Sequence, residues 1–150
     1  MKRLAAAAAL AAMALAGAPV AAAEPQPGTP CPAPEALTKL PDRTVLTCSG
    51  GTWTTFDGPY PSSATWVSDD AGIQLHGQGL RNPEILSGAW TATPLDPAAV
   101  CAVEQASVVS AGEVGPEQVT TGQPGQPLDF QVLPVVFTIT LSGDCLWQMR

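Results

Sequence analysis

The stretch Val135-Val136-Phe137-Thr138-Ile139-Thr140-Leu141-Ser142-Gly143-Asp144-Cys145-Leu146-Trp147 decides the fold class. Val135, Phe137, Ile139 and Leu141 fall on every second position, with Val136, Thr138, Thr140 and Ser142 between them. Successive side chains of a strand point to opposite faces. The alternation therefore predicts one face in a core and a mostly hydroxyl face toward solvent. Ser142-Gly143-Asp144 interrupts the strand and Cys145-Leu146-Trp147 resumes it, which places Cys145 where a strand returns to the core.

Upstream, further strand signals recur between turn signals. Thr44 to Cys48 is β-branched and apolar, and Ser49-Gly50-Gly51 turns the chain into Thr52 to Phe56, which carries Trp53. A second turn at Asp57-Gly58-Pro59 precedes Ala64 to Ser68, which carries Trp66. Asp69-Asp70-Ala71-Gly72 turns again, and Ile73 to His76 is expected to return as the second arm of a hairpin. Helix signals are few. Pro34 to Leu40 has room for one or two helical turns ended by Pro41, and Asp96-Pro97-Ala98-Ala99 reads as a capped turn leading into a strand through Cys101. Residues 111–127, rich in Gly, Pro, Gln and Thr, read as a long surface excursion. Seven or so short strands with little helix predict an all-β fold, an antiparallel β-sandwich or small barrel.

The N-terminus has a different logic. Lys2 and Arg3 precede an apolar run from Leu4 to Ala16, Gly17 and Pro19 break it, and Ala21-Ala22-Ala23 supplies small residues. That order predicts a cleaved signal peptide over residues 1–23. A membrane anchor is the competing reading, but the run is mostly alanine and carries a Gly and a Pro, so no stable membrane insertion is expected. Residues 24–34 hold five prolines and predict an extended arm, pinned at Cys31, ahead of a disulfide-stapled β domain over residues 35–150.

After Ala23 the chain keeps four cations, Lys39, Arg43, Arg81 and Arg150, against thirteen acids, a formal charge of −9. Scattered cations on an acidic body form no patch for a polyanion, which argues against nucleic acid and anionic lipid as partners. All four cysteines, Cys31, Cys48, Cys101 and Cys145, lie in the exported part. An even number in an oxidising compartment reads as disulfides. Three pairings are possible. Cys31–Cys48 with Cys101–Cys145 is favoured, because the first pair is close in sequence and the second joins two strand-like segments. Each link is worth about 3–4 kcal/mol by loop closure. No C-x-x-C spacing points to zinc or redox chemistry, and no cofactor is implied.

Catalytic signals are missing. His76 is the only histidine, no G-x-S-x-G elbow occurs, and the thiols are committed. Asp57, Asp69, Asp70, Glu84 and Asp144 are the acids a glycoside hydrolase would draw on, but three flank turn glycines and no spacing selects a pair. No calcium loop spacing appears at Asp69 and Asp70. Aromatic residues give the one positive signal. Trp53 and Tyr60 flank the turn at residues 57–61, Trp66 and His76 flank the next, and exposed aromatics stack on sugars or seat partner proteins. Trp90 and Trp147 read as core. The single asparagine, Asn82, precedes Pro83 and offers no glycosylation acceptor.

Ser87-Gly88-Ala89-Trp90-Thr91-Ala92, then Cys101, then Phe137 to Trp147 with Gly143-Asp144-Cys145-Leu146-Trp147, resemble a pattern in secreted proteins of mycobacteria and related actinobacteria. The alanine-dominated leader and Pro-rich start are similar as well. The resemblance covers residues 86–150. It implies a Cys101–Cys145 staple and a secreted or envelope-associated role, and it carries over no catalytic residue.

The expectation is a secreted, extracellular or cell-wall β domain with no enzymatic activity. It would bind a protein, glycan or small ligand through Trp53, Tyr60, Trp66 and His76, or serve a structural role. A small extracellular hydrolase acting through carboxylates is the alternative. Thiol labelling of the secreted protein should find no reactive cysteine; one labelled thiol per chain would break the pairing scheme.

Overall fold

The structure, a computed structural model, describes residues 24–150. The signal peptide assigned to residues 1–23 lies outside the described residues. Those residues form twelve strands in two sheets, so the chain is an all-β sandwich. The first sheet contains β1 (Leu37–Lys39), β2 (Val45–Ser49), β3 (Thr52–Thr55), β4 (Thr65–Ser68), β6 (Gly88–Pro94), β10 (Leu128–Val132) and β12 (Cys145–Met149). Their spatial order is β10-β6-β12-β4-β1-β2-β3. The second sheet contains β5 (Ile73–His76), β7 (Ala102–Ser110), β8 (Glu113–Val114), β9 (Gln118–Thr121) and β11 (Val136–Ser142), with β5, β11 and β7 side by side and both β8 and β9 on the far edge of β7. Pairing is antiparallel except between β1 and β4.

The main core lies between the sheets and is built on three buried tryptophans, Trp66, Trp90 and Trp147. A buried indole needs an acceptor for its N–H, and each finds one. Trp66 Nε1 donates to Glu84 O (3.3 Å), Trp90 Nε1 to Leu86 O (3.0 Å) and Trp147 Nε1 to Ser68 Oγ (2.7 Å). Ser68 Oγ in turn donates to Gly143 O (2.6 Å). Phe130 meets Trp147 edge to face, with ring centroids 5.6 Å apart. Cys101 and Cys145, both fully buried, join the second sheet to the first, their Cα atoms 6.0 Å apart. The turn that delivers Cys145 needs Gly143, whose φ is +90°; a Cβ there would collide with the Val100 carbonyl.

Both open sides of the sandwich are closed by polar side chains. Buried Gln105 on β7 donates to Gln131 O (2.9 Å) and accepts from Leu133 N–H (3.1 Å), which ties the second sheet to β10. On the opposite side Lys39 Nζ of β1 donates to Gln74 O of β5 (3.0 Å). Strands β2 and β3 overhang this body and make a second, smaller core of Ala36, Leu46, Cys48, Trp53 and Val67. The N-terminal arm lies over it. Cys31–Cys48 (Cα–Cα 5.7 Å) holds the arm there, Pro30 bridges Thr52, and Gly28 N–H donates to Trp53 O (2.8 Å). Each core has its own disulfide.

Several local expectations differ from the structure. Pro34 to Leu40 is not helical: Glu35 takes φ +61°, after which β1 pairs with β2, and burying Ala36 and Leu37 outweighs the helical option. β4 and β5 are not a hairpin. Both edges of β4 are taken by β12 and β1, so the Asp69–Gly72 turn carries the chain across to the second sheet. A register shift between Val136 and Thr138 flips the alternation at the start of β11. Val136 is buried and Val135 exposed, while Ile139 and Leu141 keep the inward phase. A bulge of this kind places two residues against one on the partner strand. Residues 111–127, expected as an excursion, instead supply β8 and β9 and extend the second sheet.

Ile139 is fully buried between the sheets. Ile139→Asp would place an unpaired charge there and should abolish folding. Secretion of a soluble, protease-resistant Ile139→Asp protein would refute the face assignment.

Candidate binding face

Glu84 sits in the connection between β5 and β6 and is almost fully buried. Both of its carboxylate oxygens are used. Oε1 accepts from Lys39 Nζ (2.5 Å) and Oε2 from the His76 backbone N–H (2.8 Å). Its own backbone N–H donates to His76 O (2.8 Å), and its carbonyl accepts from Ser63 N–H (3.1 Å) besides the Trp66 indole. One residue thus anchors β1, β4, β5 and the loop that carries Tyr60. Burial of a carboxylate is tolerable only with such pairing. The His76 ring lies beside the cluster, Nδ1 3.7 Å from Glu84 Oε2, and is half exposed.

With β5 fixed in this way, the outward residues of the second sheet form a continuous face. Ile73 and Leu75 point inward, so Gln74 and His76 point out; by the same alternation Thr138 and Thr140 of β11 and Glu104 of β7 point out, while Ala106, on the same phase, is buried beneath its neighbours. The ladders align them. Gln74, Thr140, Glu104 and Val119 form one row, and His76, Thr138 and Ala106 the next. At strand spacing, the first row spans about 14 Å. At its far end Glu117, just before β9, hydrogen-bonds to the Glu104 carboxyl, and this contact with the repulsion between the two charges holds Glu104 above the usual carboxylate range.

A second set of acids gathers at one end of the sandwich. Asp144 in the β11–β12 turn is raised above its ordinary range, first by burial and then by the negative charges of Asp70, Asp96 and Asp69. Two of these neighbours already serve the backbone. Asp69 Oδ1 accepts from the N–H groups of Ala71 (3.0 Å) and Gly72 (3.1 Å), and Asp96 Oδ1 from Ala98 N–H (2.8 Å). Among the described residues no group of three or more His, Cys, Asp or Glu side chains is arranged to hold a metal ion. An open depression of about 440 Å³ beside this end is lined by Pro94, Asp96, Pro97 and Pro124 among others.

The structure separates the four predicted binding residues. Trp53 and Trp66 are buried, one in each core, and present no ring to a ligand; they are structural. An aromatic beside a Gly/Pro turn signals a platform only when the following chain leaves it bare, and here the arm and the second sheet cover both. Tyr60 is 59% exposed on the β3–β4 connection, and His76 borders the open face. Glu104, Glu117, Thr138 and Thr140 were not singled out from sequence. The Thr138–Thr140 alternation announced a hydroxyl face, but the meeting of Glu104 with Glu117 depends on a β7–β9 pairing that no local signal gives. No family model, no curated protein and no solved structure matches the chain.

The Asp144 carboxyl holds its proton to a higher pH when folded than when unfolded. Its contribution to stability is therefore greatest below the ordinary aspartate range and is lost as pH rises through the folded value. Asp144→Asn should raise Tm at pH 7 and leave it unchanged near pH 3, as read by thermal unfolding at the two pH values. An equal shift at both would refute the electrostatic origin.

Proposed function

We propose that the chain is an exported, non-enzymatic binding domain that engages its target through the outer face of the second sheet. The observation that supports this most is the nature of the face itself. Gln74, His76, Thr138, Thr140 and Glu104 stand on three adjacent strands, all with hydrogen-bonding side chains, backed by a disulfide-linked core. A rigid array of donors and acceptors of this kind suits a protein surface or a glycan. The two disulfides are consistent with an oxidising compartment. No helix among the described residues is long and apolar enough to cross a membrane. A secreted or envelope location fits both, as does the resemblance of residues 86–150 to secreted actinobacterial proteins.

A carboxylate hydrolase is the second reading, favoured by the convergence of Glu104 and Glu117. The pair lies on an uncovered face, whereas acid–base pairs that work near neutral pH rely on water exclusion and on environments that set the two groups apart. Binding is therefore the better account.

The purified secreted protein, isotope-labelled, can be titrated with solubilised cell-envelope fractions. Amide shifts should concentrate at Gln74, His76, Thr138 and Thr140. Turnover of a chromogenic glycoside or peptide that disappears in Glu104→Gln/Glu117→Gln would overturn the non-enzymatic reading.

A further inference from the structure

The edge of the second sheet is unusual for an exposed strand. β9 is exposed at all four residues, and among the described residues no strand pairs with its outer side. Gly122 N–H donates to Cys101 O (2.8 Å), which fixes the phase of the β7–β9 ladder. Because bonded and non-bonded pairs alternate in an antiparallel ladder, Val119 and Thr121 turn their backbone N–H and C=O groups outward. Soluble proteins protect such edges, most often with lysine. This one, Gln-Val-Thr-Thr, carries no charged residue and exposes a valine instead. Val119 is 64% exposed, and Val114 (43%), on β8, lies farther along the same side of β7.

Charge adds a second, independent feature. Residues 82–149 hold seven acids and no lysine or arginine. Three of those acids, Glu104, Glu113 and Glu117, border the exposed valines. Glu104 is the ladder partner of Val119, and Glu117 lies two residues before Val119 on the same face, so the two acids are diagonal neighbours. An ammonium or guanidinium placed there would relieve their repulsion and donate hydrogen bonds to both carboxylates. A strand laid along β9 would put alternate side chains on the same face as Val119 and Glu117, which are two residues apart.

We propose that the β9 edge captures an extended, cationic polypeptide segment by strand addition, its backbone bonding Val119 and Thr121, an apolar side chain resting on Val119 and a cation two residues away seated between Glu104 and Glu117. The proposal rests on the binding reading above and names a partner class for the margin of the same face. Alternating apolar and cationic residues are the recognised pattern. Main-chain bonds supply affinity and the side chains specificity, as in other cases where a peptide completes a sheet.

The test uses the intact secreted protein and a capped heptapeptide, Thr-Lys-Thr-Val-Thr-Lys-Thr, with a Glu-for-Lys peptide as control, followed by calorimetry. Saturable binding of the Lys peptide, weakened by added salt and absent for the Glu peptide, is expected. Glu104→Gln/Glu117→Gln should weaken it about fivefold, and Thr121→Pro, which removes only an outward N–H, about fivefold as well. Val119→Lys, at an exposed position that cannot disturb either core, should weaken binding too and covers the case in which the proline variant does not fold. Absence of binding, equal binding of both peptides, or indifference to Thr121→Pro and Val119→Lys would overturn the proposal. So would a dimer in sedimentation that Val119→Lys dissociates, since the edge would then belong to a second copy. Failure here with the envelope footprint at Gln74, His76 and Thr138 intact sinks strand capture alone; loss of both sinks the binding reading.

Discussion

Three indoles pressed between two sheets set the terms for everything else in this molecule. Trp66, Trp90 and Trp147 fill the space between the sheets, and each indole N–H dictates the path of a separate loop or turn. Glu84 must bring its carbonyl to Trp66, Leu86 to Trp90, and Ser68 must turn its hydroxyl to Trp147 while bonding Gly143. The Cys101–Cys145 link lies in the same layer and fixes the offset of the sheets. The outer face of the second sheet is held in place by the packed layer behind it.

Glu84 shows how support and surface are coupled. Its carbonyl serves the core through Trp66, while its carboxylate holds β5 through the His76 N–H and β1 through Lys39. The placement of His76 on the face is thus a by-product of a buried ion pair. Removing one partner of such a pair strands the other charge and costs about 3–5 kcal/mol, so a substitution at Lys39 would reach the face without touching it.

Much of the fold was readable because it rests on period-two patterning and on covalent arithmetic. Both cysteine pairs follow from spacing and strand position, the strands around Trp53, Trp66 and Ile73 lie between the turns that flank them in sequence, and the strand through Ile139 lies where its alternation puts it. What was not readable is non-local. Nothing near Ala64–His76 tells that β4 already has two neighbours and must surrender β5 to the other sheet. A bulge at Phe137 exchanges the roles of Val135 and Val136 without altering composition. The polar stretch at 111–127 lacks core residues because an edge strand needs none, so absence of apolar pattern concealed β8 and β9. The same blindness hid the candidate site: Glu104 and Glu117 are ordinary acids until a ladder brings them together. Trp53 and Trp66 misled for the opposite reason, since turn-flanking aromatics look available until the arm and the second sheet are in place.

The overhang of β2 and β3 divides the molecule into two parts of unequal toughness. The larger is clamped on all sides; the smaller is a lid of proline-rich chain fastened over Trp53 by one sulfur bridge and a few main-chain bonds. Cys31 is only partly buried whereas Cys101 and Cys145 are fully enclosed, so mild reductant would open the arm's bridge first and leave an undivided chain whose sandwich still stands and whose Trp53 is newly bared. The fluorescence of that one side chain would report how reducing its surroundings had become.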